Sequence, residues 1–200
     1  DATLDNFTSS QIKLFEERSE KIISALKIKP LRHLLNSAGI SRFTNAHFDM
    51  VRLGLGLYGI DSTHALKERL KNVSVLKTTI SQVKKIKAGE SVGYSCAGKT
   101  ERDSVIAIVA IGYADGYSRK FGNGKGYMIV NGKQAPLIGN VCMDMCMLDV
   151  TGIENVNEGD EAIVFGEELS IETLAQLSGT ISYEIITSVS QRVKRVYFSE

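Results

Sequence analysis

The apolar positions Ile12, Phe15, Ile22, Ile23 and Leu26 recur near a 3.6-residue period. This predicts an amphipathic helix over 9–29, with Ser9 or Ser10 as its cap and Pro30 at its end. The pattern then shortens. Residues 31–35 form a strand-like run closing on Asn36-Ser37-Ala38-Gly39, and residues 48–59 hold a second apolar run, Met50-Val51-Arg52-Leu53-Gly54-Leu55-Gly56-Leu57-Tyr58. Helix, strand, helix, strand is the rhythm of a parallel α/β sheet or barrel. Beyond a charged stretch at 61–72 the pattern predicts short strands near 75–86, 90–95, 104–111, 126–131, 134–138, 141–149 and 161–165, separated by Gly- or Asn-bearing turns. Asn131-Gly132 between two such runs is the strongest hairpin signal. Ser170 caps and Gly179 ends a helix at 171–178, and a helical turn at 182–188 leads into a last predicted strand, 192–198. The fold class read from this pattern is α+β, with an α/β part at 1–72 and a mostly β part at 73–200.

About 70 residues cannot close an eight-stranded parallel barrel, which takes about 250. Two of its strands fit. Residue 1 is Asp rather than Met and the chain opens in a loop-like segment, so a longer polypeptide is expected. With 200 residues, 43% hydrophobic, the chain buries a real core. A net charge of +1 leaves no polybasic face for a phosphate backbone, so nucleic acid is not an expected partner. No apolar stretch approaches the roughly 20 residues of a membrane span. Three sparse cysteines, Cys96, Cys142 and Cys146, fit reduced thiols in a cytoplasmic protein. The Cys142/Cys146 spacing lacks the further ligands of a metal site, and strand alternation would place both thiols on one core face. No metal is expected.

Three clusters can carry chemistry. The first is His33-Leu34-Leu35-Asn36-Ser37-Ala38 followed by the 50–59 run. At barrel strand ends, a serine hydroxyl and glycine-freed N–H groups make a phosphate cradle. The plainer readings are an N-cap for Ser37, close packing for the glycines and an ion pair for Arg52. Arg52 interrupts an apolar run, where a buried unpaired charge costs several kcal/mol, so it is expected to have a dedicated partner; His33 on the neighbouring strand is within reach. The second cluster is Gly93-Tyr94-Ser95 with Gly112-Tyr113-Ala114-Asp115-Gly116-Tyr117, and the third is Cys142-Met143-Asp144. Gly-flanked tyrosines present hydroxyls into clefts, although each alone reads as an ordinary strand or rim residue.

Together, His-x-x-Asn-Ser-Ala, Met-Val-Arg-x-Gly, Gly-Tyr-Ala-Asp-Gly and Cys-Met-Asp, in that order from near Asp1 to Tyr197, resemble the pyridoxal-phosphate-dependent alanine racemases. The resemblance implies the C-terminal end of an eight-stranded α/β barrel that holds pyridoxal 5'-phosphate, followed by a β domain. It also implies a homodimer whose active sites are built from both chains, and interconversion of L- and D-alanine by two-base proton transfer, supplying D-alanine for peptidoglycan. By motif, Tyr94 resembles the family's catalytic tyrosine, contributed by the partner subunit. A tyrosine with a pKa of about 10 is ionised in about one molecule in a thousand at neutral pH, so a tyrosine base needs cationic surroundings. Arg52 resembles the arginine that hydrogen-bonds the cofactor's pyridine nitrogen and leaves it unprotonated, restraining side reactions, and His33 the residue that holds that arginine. Asn36 and Ser37, with the backbone of Gly54 and Leu55, would bind the cofactor, the last three at its phosphate. The Met143 backbone and Tyr113 would hold the substrate carboxylate and shape the entrance.

Two departures stand out. Gln191 occupies the place of a phosphate-reaching tyrosine, and the lysine that bonds the cofactor, carried before an Ala-x-x-Tyr-Gly signature, has no counterpart here. The Ser-Gln-Arg-Val-Lys-Arg ending also resembles racemase regions fused behind a MurF-type ligase. The competing readings are a broader amino-acid racemase or decarboxylase of the same fold, and a non-catalytic β module used for dimerisation.

Overall fold

The computed structural model describes residues 5–63, 66 and 68–198, which fall into two compact units, one on each side of the Val73/Ser74 junction. The first four residues, and positions 64, 65 and 67 of the charged stretch, lie outside the described residues.

The first unit opens with helix α1, Asp5–Leu26. The chain is already helical at Asp5, so Ser9 and Ser10 lie inside the helix instead of capping it. Ser10 returns its hydroxyl proton to the Phe7 carbonyl (2.7 Å), a bond that suits a helical serine. The helix ends before Pro30. Its apolar stripe is anchored by Phe15, whose ring meets Phe48 edge-on at 5.1 Å, and Arg32 is tied to Glu20. The two expected strands shrink to one parallel bridge, His33↔Met50, flanked by the bonds Asp49 N–H to Arg32 O and Arg52 N–H to Leu35 O. The parallel pairing is present, but among the described residues no further strand flanks it to extend the ladder. Leu35 passes directly into helix α2, Ser37–Arg42, capped by the Asn36 side chain, and residues Leu55–Tyr58 coil into a 3-10 turn where a strand was expected.

The second unit is built on a six-stranded antiparallel sheet. Its strands are β1 (Leu76–Ile86), β4 (Ser104–Val109), β5 (Tyr127–Val130), β6 (Lys133–Pro136), β7 (Cys146–Asp149) and β8 (Glu161–Phe165), in the order β6-β5-β8-β1-β4-β7. A bridge between Leu137 and Leu148 brings the β6 and β7 edges together and nearly closes the sheet. Strand β1 serves both halves: it pairs with β8 through Thr79 and with β4 from Ile80 onward, with a bulge between Ile80 and Gln82. The bulge shifts the side-chain alternation by one residue, so that Val83, opposite Ala107, stays on the face of Ile80, opposite Val109. Thr78 and Ile80 are buried before it, Val83 and Ile86 half-buried after it, and the Ser81 hydroxyl donates to Ile108 O at the irregularity. Asn131 and Gly132 both adopt positive φ (48° and 70°), the geometry of a two-residue hairpin turn between β5 and β6.

Ile80, Val109, Met128, Val130, Leu148 and Val164 fill the sheet interior. Helix α3, Ile171–Ser178, buries Ile171, Leu174, Ala175 and Ser178; its N-cap is Ser170 and Gly179 closes it in the left-handed conformation, both as expected. Helix α4, Ser182–Ser188, follows.

Three strand expectations need correction. Residues 90–95 yield only Ser91–Val92 (β2), paired with Gly98–Lys99 (β3), before a 3-10 turn. Residues 141–145 form a loop, so only Cys146–Asp149 of the 141–149 segment is a strand, and Cys142 does not share a strand face with the buried Cys146. Residues 192–198 are not a strand, because Arg192 and Arg195 draw the chain into side-chain and carbonyl contacts in place of a ladder. No helix among the described residues is long and apolar enough to cross a membrane.

Burial pushes the Cys146 thiol from its ordinary value near 9.0 up to about 12, with Cys142 and Asp115 adding to the rise. A raised thiol pKa means that the unfolded chain ionises first as pH increases. Stability is therefore full below pH 9.0 and falls progressively toward about 12. Melting temperatures measured across this range should decline, and the decline should be shallower in Cys146→Ala. Truncating the sealed Leu148 to Ala is expected to cost about 2–5 kcal/mol in a denaturant titration.

Candidate functional site

In the second unit, three sequence-selected residues converge on one cleft of about 530 Å³, lined by Tyr94, Tyr113, Arg119, Asn140 and the 141–145 loop, which includes Met143. Tyr94 begins a 3-10 turn, Tyr94–Cys96, in which Ser95 and Cys96 are held at positive φ (59° and 49°), strained for non-glycine residues. The turn is carried by the β2–β3 hairpin, which lies against the backbone of Gly139. A Cβ on Gly98 would stand 2.8 Å from Gly139 N, and one on Gly139 2.8 Å from Val92 O. Tyr94 is 75% exposed, its phenol free to meet a molecule in or above the cleft.

Tyr113 starts the 3-10 turn Tyr113–Asp115, and this turn is stitched to the 141–145 loop by two backbone bonds. Tyr113 N–H donates to Cys142 O and Ala114 N–H to Met143 O, each at 3.0 Å. Gly112 makes the approach possible, since a Cβ there would lie 2.3 Å from the Cys142 and Met143 carbonyl oxygens. With the Met143 carbonyl engaged, its N–H makes no hydrogen bond to another described residue and remains a donor at the cleft. Two phenols, a free backbone N–H and the Arg119 guanidinium suit a small anion that must be held and handled by a proton-bearing group.

Sequence reasoning did not single out the ion cluster behind this cleft. Arg192 donates through Nε to Asp115 (2.7 Å) and through Nη2 to Asp144, and Asp115 accepts the Gly112 N–H at 2.9 Å with its second oxygen. The two aspartates hold the guanidinium pKa above its ordinary value. The signal was present in the Asp-Gly and Met-Asp motifs, but the arginine lies 48 and 77 residues away from its partners. Tyr117 is buried, stacked on Phe121 at 4.6 Å, and burial pushes its hydroxyl pKa well up, which leaves it a core residue.

In the first unit, Ser37 is the first residue of α2, not its N-cap, which is Asn36. The Ser37 Oγ accepts both Gly54 N–H (2.8 Å) and Gly56 N–H (3.3 Å), while Leu55 N–H between them bonds to no described residue. A hydroxyl, two converged amides and a free third amide form a cradle fit for a phosphate. Arg52 is exposed, not buried in its apolar run, so the expected desolvation cost does not arise. Its partner is the Leu34 carbonyl (3.0 Å) in place of His33. His33 enters through its backbone, in the bridge to Met50, and among the described residues makes no hydrogen bond to Arg52. No group of His, Cys, Asp and Glu fit to hold a metal occurs among the described residues.

The chain as a whole matches known proteins. Residues 73–197 match the family model of the alanine racemase C-terminal domain, and residues 1–62 that of the N-terminal domain. The chain belongs to the alanine racemase family. It is 40% identical to alanine racemase 1 of Clostridium acetobutylicum, over 98% of this chain and 53% of that protein. It is 41% identical to the alanine racemase of Carboxydothermus hydrogenoformans, over 98% of this chain and 56% of that protein. Among solved structures, the alanine racemase of Bartonella henselae with covalently bound pyridoxal phosphate superposes with a TM-score of 0.87 at 32% identity, covering 99% of this chain and 54% of that one. That of Clostridium difficile in complex with cycloserine gives 0.85 at 33%, covering 94% and 51%. The fold is thus the alanine racemase fold, a barrel-type N-terminal domain and a β-rich C-terminal domain, and the chain spans about half the length of these relatives.

Gly112→Ala is expected to separate the two cleft loops at a cost of at least about 2 kcal/mol in chemical denaturation. Gly132→Ala meets no atom within 4 Å, and should cost only the roughly 1–2 kcal/mol of placing an L-residue at φ 70°.

Proposed function

We propose that the intact protein is a pyridoxal-phosphate-dependent alanine racemase that interconverts L- and D-alanine for peptidoglycan, and that it works as a homodimer with each site assembled from two copies. The observation that carries this reading is the paired set of motifs: the Ser37 cradle with Arg52 in one unit, and the Tyr94–Tyr113–Met143 cleft in the other. The family's cofactor lysine has no counterpart among these 200 residues, so the proposal concerns the intact protein and not this chain alone.

The cofactor, when bound, supplies a sink for the electrons left behind when the Cα proton of alanine departs. The residues of this chain do the rest. The Ser37 hydroxyl and the Leu55 N–H would donate to the phosphate, with Gly54 and Gly56 setting the hydroxyl's direction and Asn36 fixing the start of α2. Arg52, steadied by Leu34 O, would donate to the ring nitrogen, and because a guanidinium does not release its proton it would leave that nitrogen unprotonated. His33 contributes by pairing its backbone beside Met50, two residues from Arg52. On the partner's side, the Tyr94 oxygen would take the Cα proton as a phenolate, or return it as a phenol, on one face of the substrate, while Met143 N–H and the Tyr113 hydroxyl would hold the carboxylate. Orientation is a large part of the rate advantage, because a fixed proton acceptor acts at high effective concentration.

Tyr94→Phe in the intact protein should lower alanine turnover by about 10²–10⁴-fold while the bound cofactor's visible absorbance is retained. Near-normal turnover overturns the assignment. Ser37→Ala removes a hydrogen bond to a charged group and should weaken cofactor affinity about tenfold or more, read by titrating the apoenzyme.

A further inference from the structure

The two loops that frame the cleft are joined in two places of different kinds. At the cleft, the backbone bonds Tyr113 N–H to Cys142 O and Ala114 N–H to Met143 O form a short zipper. Behind it, the Arg192 guanidinium spans from Asp115, at the end of the first loop's turn, to Asp144, next to Met143 on the second. The Asp115 side chain is only 11% exposed and has one other donor among the described residues, Gly112 N–H, so it depends on Arg192 for charge balance. Asp144 is half-exposed and lines the cleft itself. Without the guanidinium, a bare carboxylate would stand beside the Met143 N–H, the donor assigned above to a substrate carboxylate, and like charges at that range repel. The arginine is itself set by its segment: Ser190 N–H donates to Asp115 O, and Arg195 gathers the Val189, Ser190 and Val193 carbonyls around the same bend.

We propose that Arg192 is a positioning and specificity-determining residue: its fork locks the Tyr113 and Met143 loops together and cancels the Asp144 charge, so that the cleft accepts a carboxylate. The locking part stands on geometry alone, whereas the carboxylate part rests on the racemase reading. Two measurements on the intact protein separate them. Amide hydrogen exchange at Tyr113 and Ala114 should accelerate at least tenfold in Arg192→Gln, with the β5–β6 hairpin amides unchanged. In steady-state racemisation, Arg192→Gln should raise KM for alanine about tenfold with kcat within about threefold. Adding Asp144→Asn should bring KM back toward the starting value, a charge rescue that a purely structural role would not give. Arg192→Lys keeps the charge but not the fork, and should fall between; it carries both tests should the glutamine variant not fold. Unchanged exchange at Tyr113 and Ala114 overturns the lock, and a KM within twofold of the parent, or no rescue by Asp144→Asn, overturns the carboxylate role. If the parent protein does not racemise alanine, the function reading fails while the exchange measurement still decides the lock.

Discussion

The close approach of the Gly112–Asp115 turn to the Cys142 and Met143 carbonyls is the contact on which the second unit's chemistry depends. It needs a residue with no side chain at 112, and it uses up the Met143 carbonyl while leaving the Met143 N–H free. It also fixes where Tyr113 leaves the backbone. The nearly closed sheet makes this reproducible, because β4 runs into the first loop and β7 leaves the second as neighbours in the ladder, with Val109 opposite Cys146. Catalytic groups on loops gain precision when the strands beneath them are paired in fixed register.

Legibility in the sequence followed the range of the interactions. Short-range devices were readable: the Asn131-Gly132 turn and the Ser170 and Gly179 caps that bound α3 each depend on residues within a few positions. The Tyr94, Tyr113 and Met143 motifs do meet in one cleft, and Ser37 does gather glycine amides. What did not read out was set by distant partners. The 31–35 and 50–58 runs are as apolar as strands, yet they make one bridge, because a parallel ladder takes its length from neighbours on both sides. Apolar neighbours made burial of Arg52 a cost to be offset by a dedicated partner, but the run coils into a 3-10 turn at Leu55 and leaves the guanidinium in solvent. The terminal run from Arg192 has strand composition and no strand geometry, since its arginines bond to Asp115, Asp144 and nearby carbonyls.

Charge is used sparingly at both candidate sites. Among the described residues Arg52 meets only a carbonyl and remains open to an acceptor, while Arg192 is committed to two carboxylates. One cation is thus open to ligand chemistry and the other is invested in architecture, although both arginines are exposed. Partner identity, not exposure, separates the roles.

The Ser37 hydroxyl organises the amides of Gly54 and Gly56 through bonds within the chain itself. Because that oxygen holds the loop in its receiving shape, anion capture there requires no folding of the loop and forfeits little chain entropy.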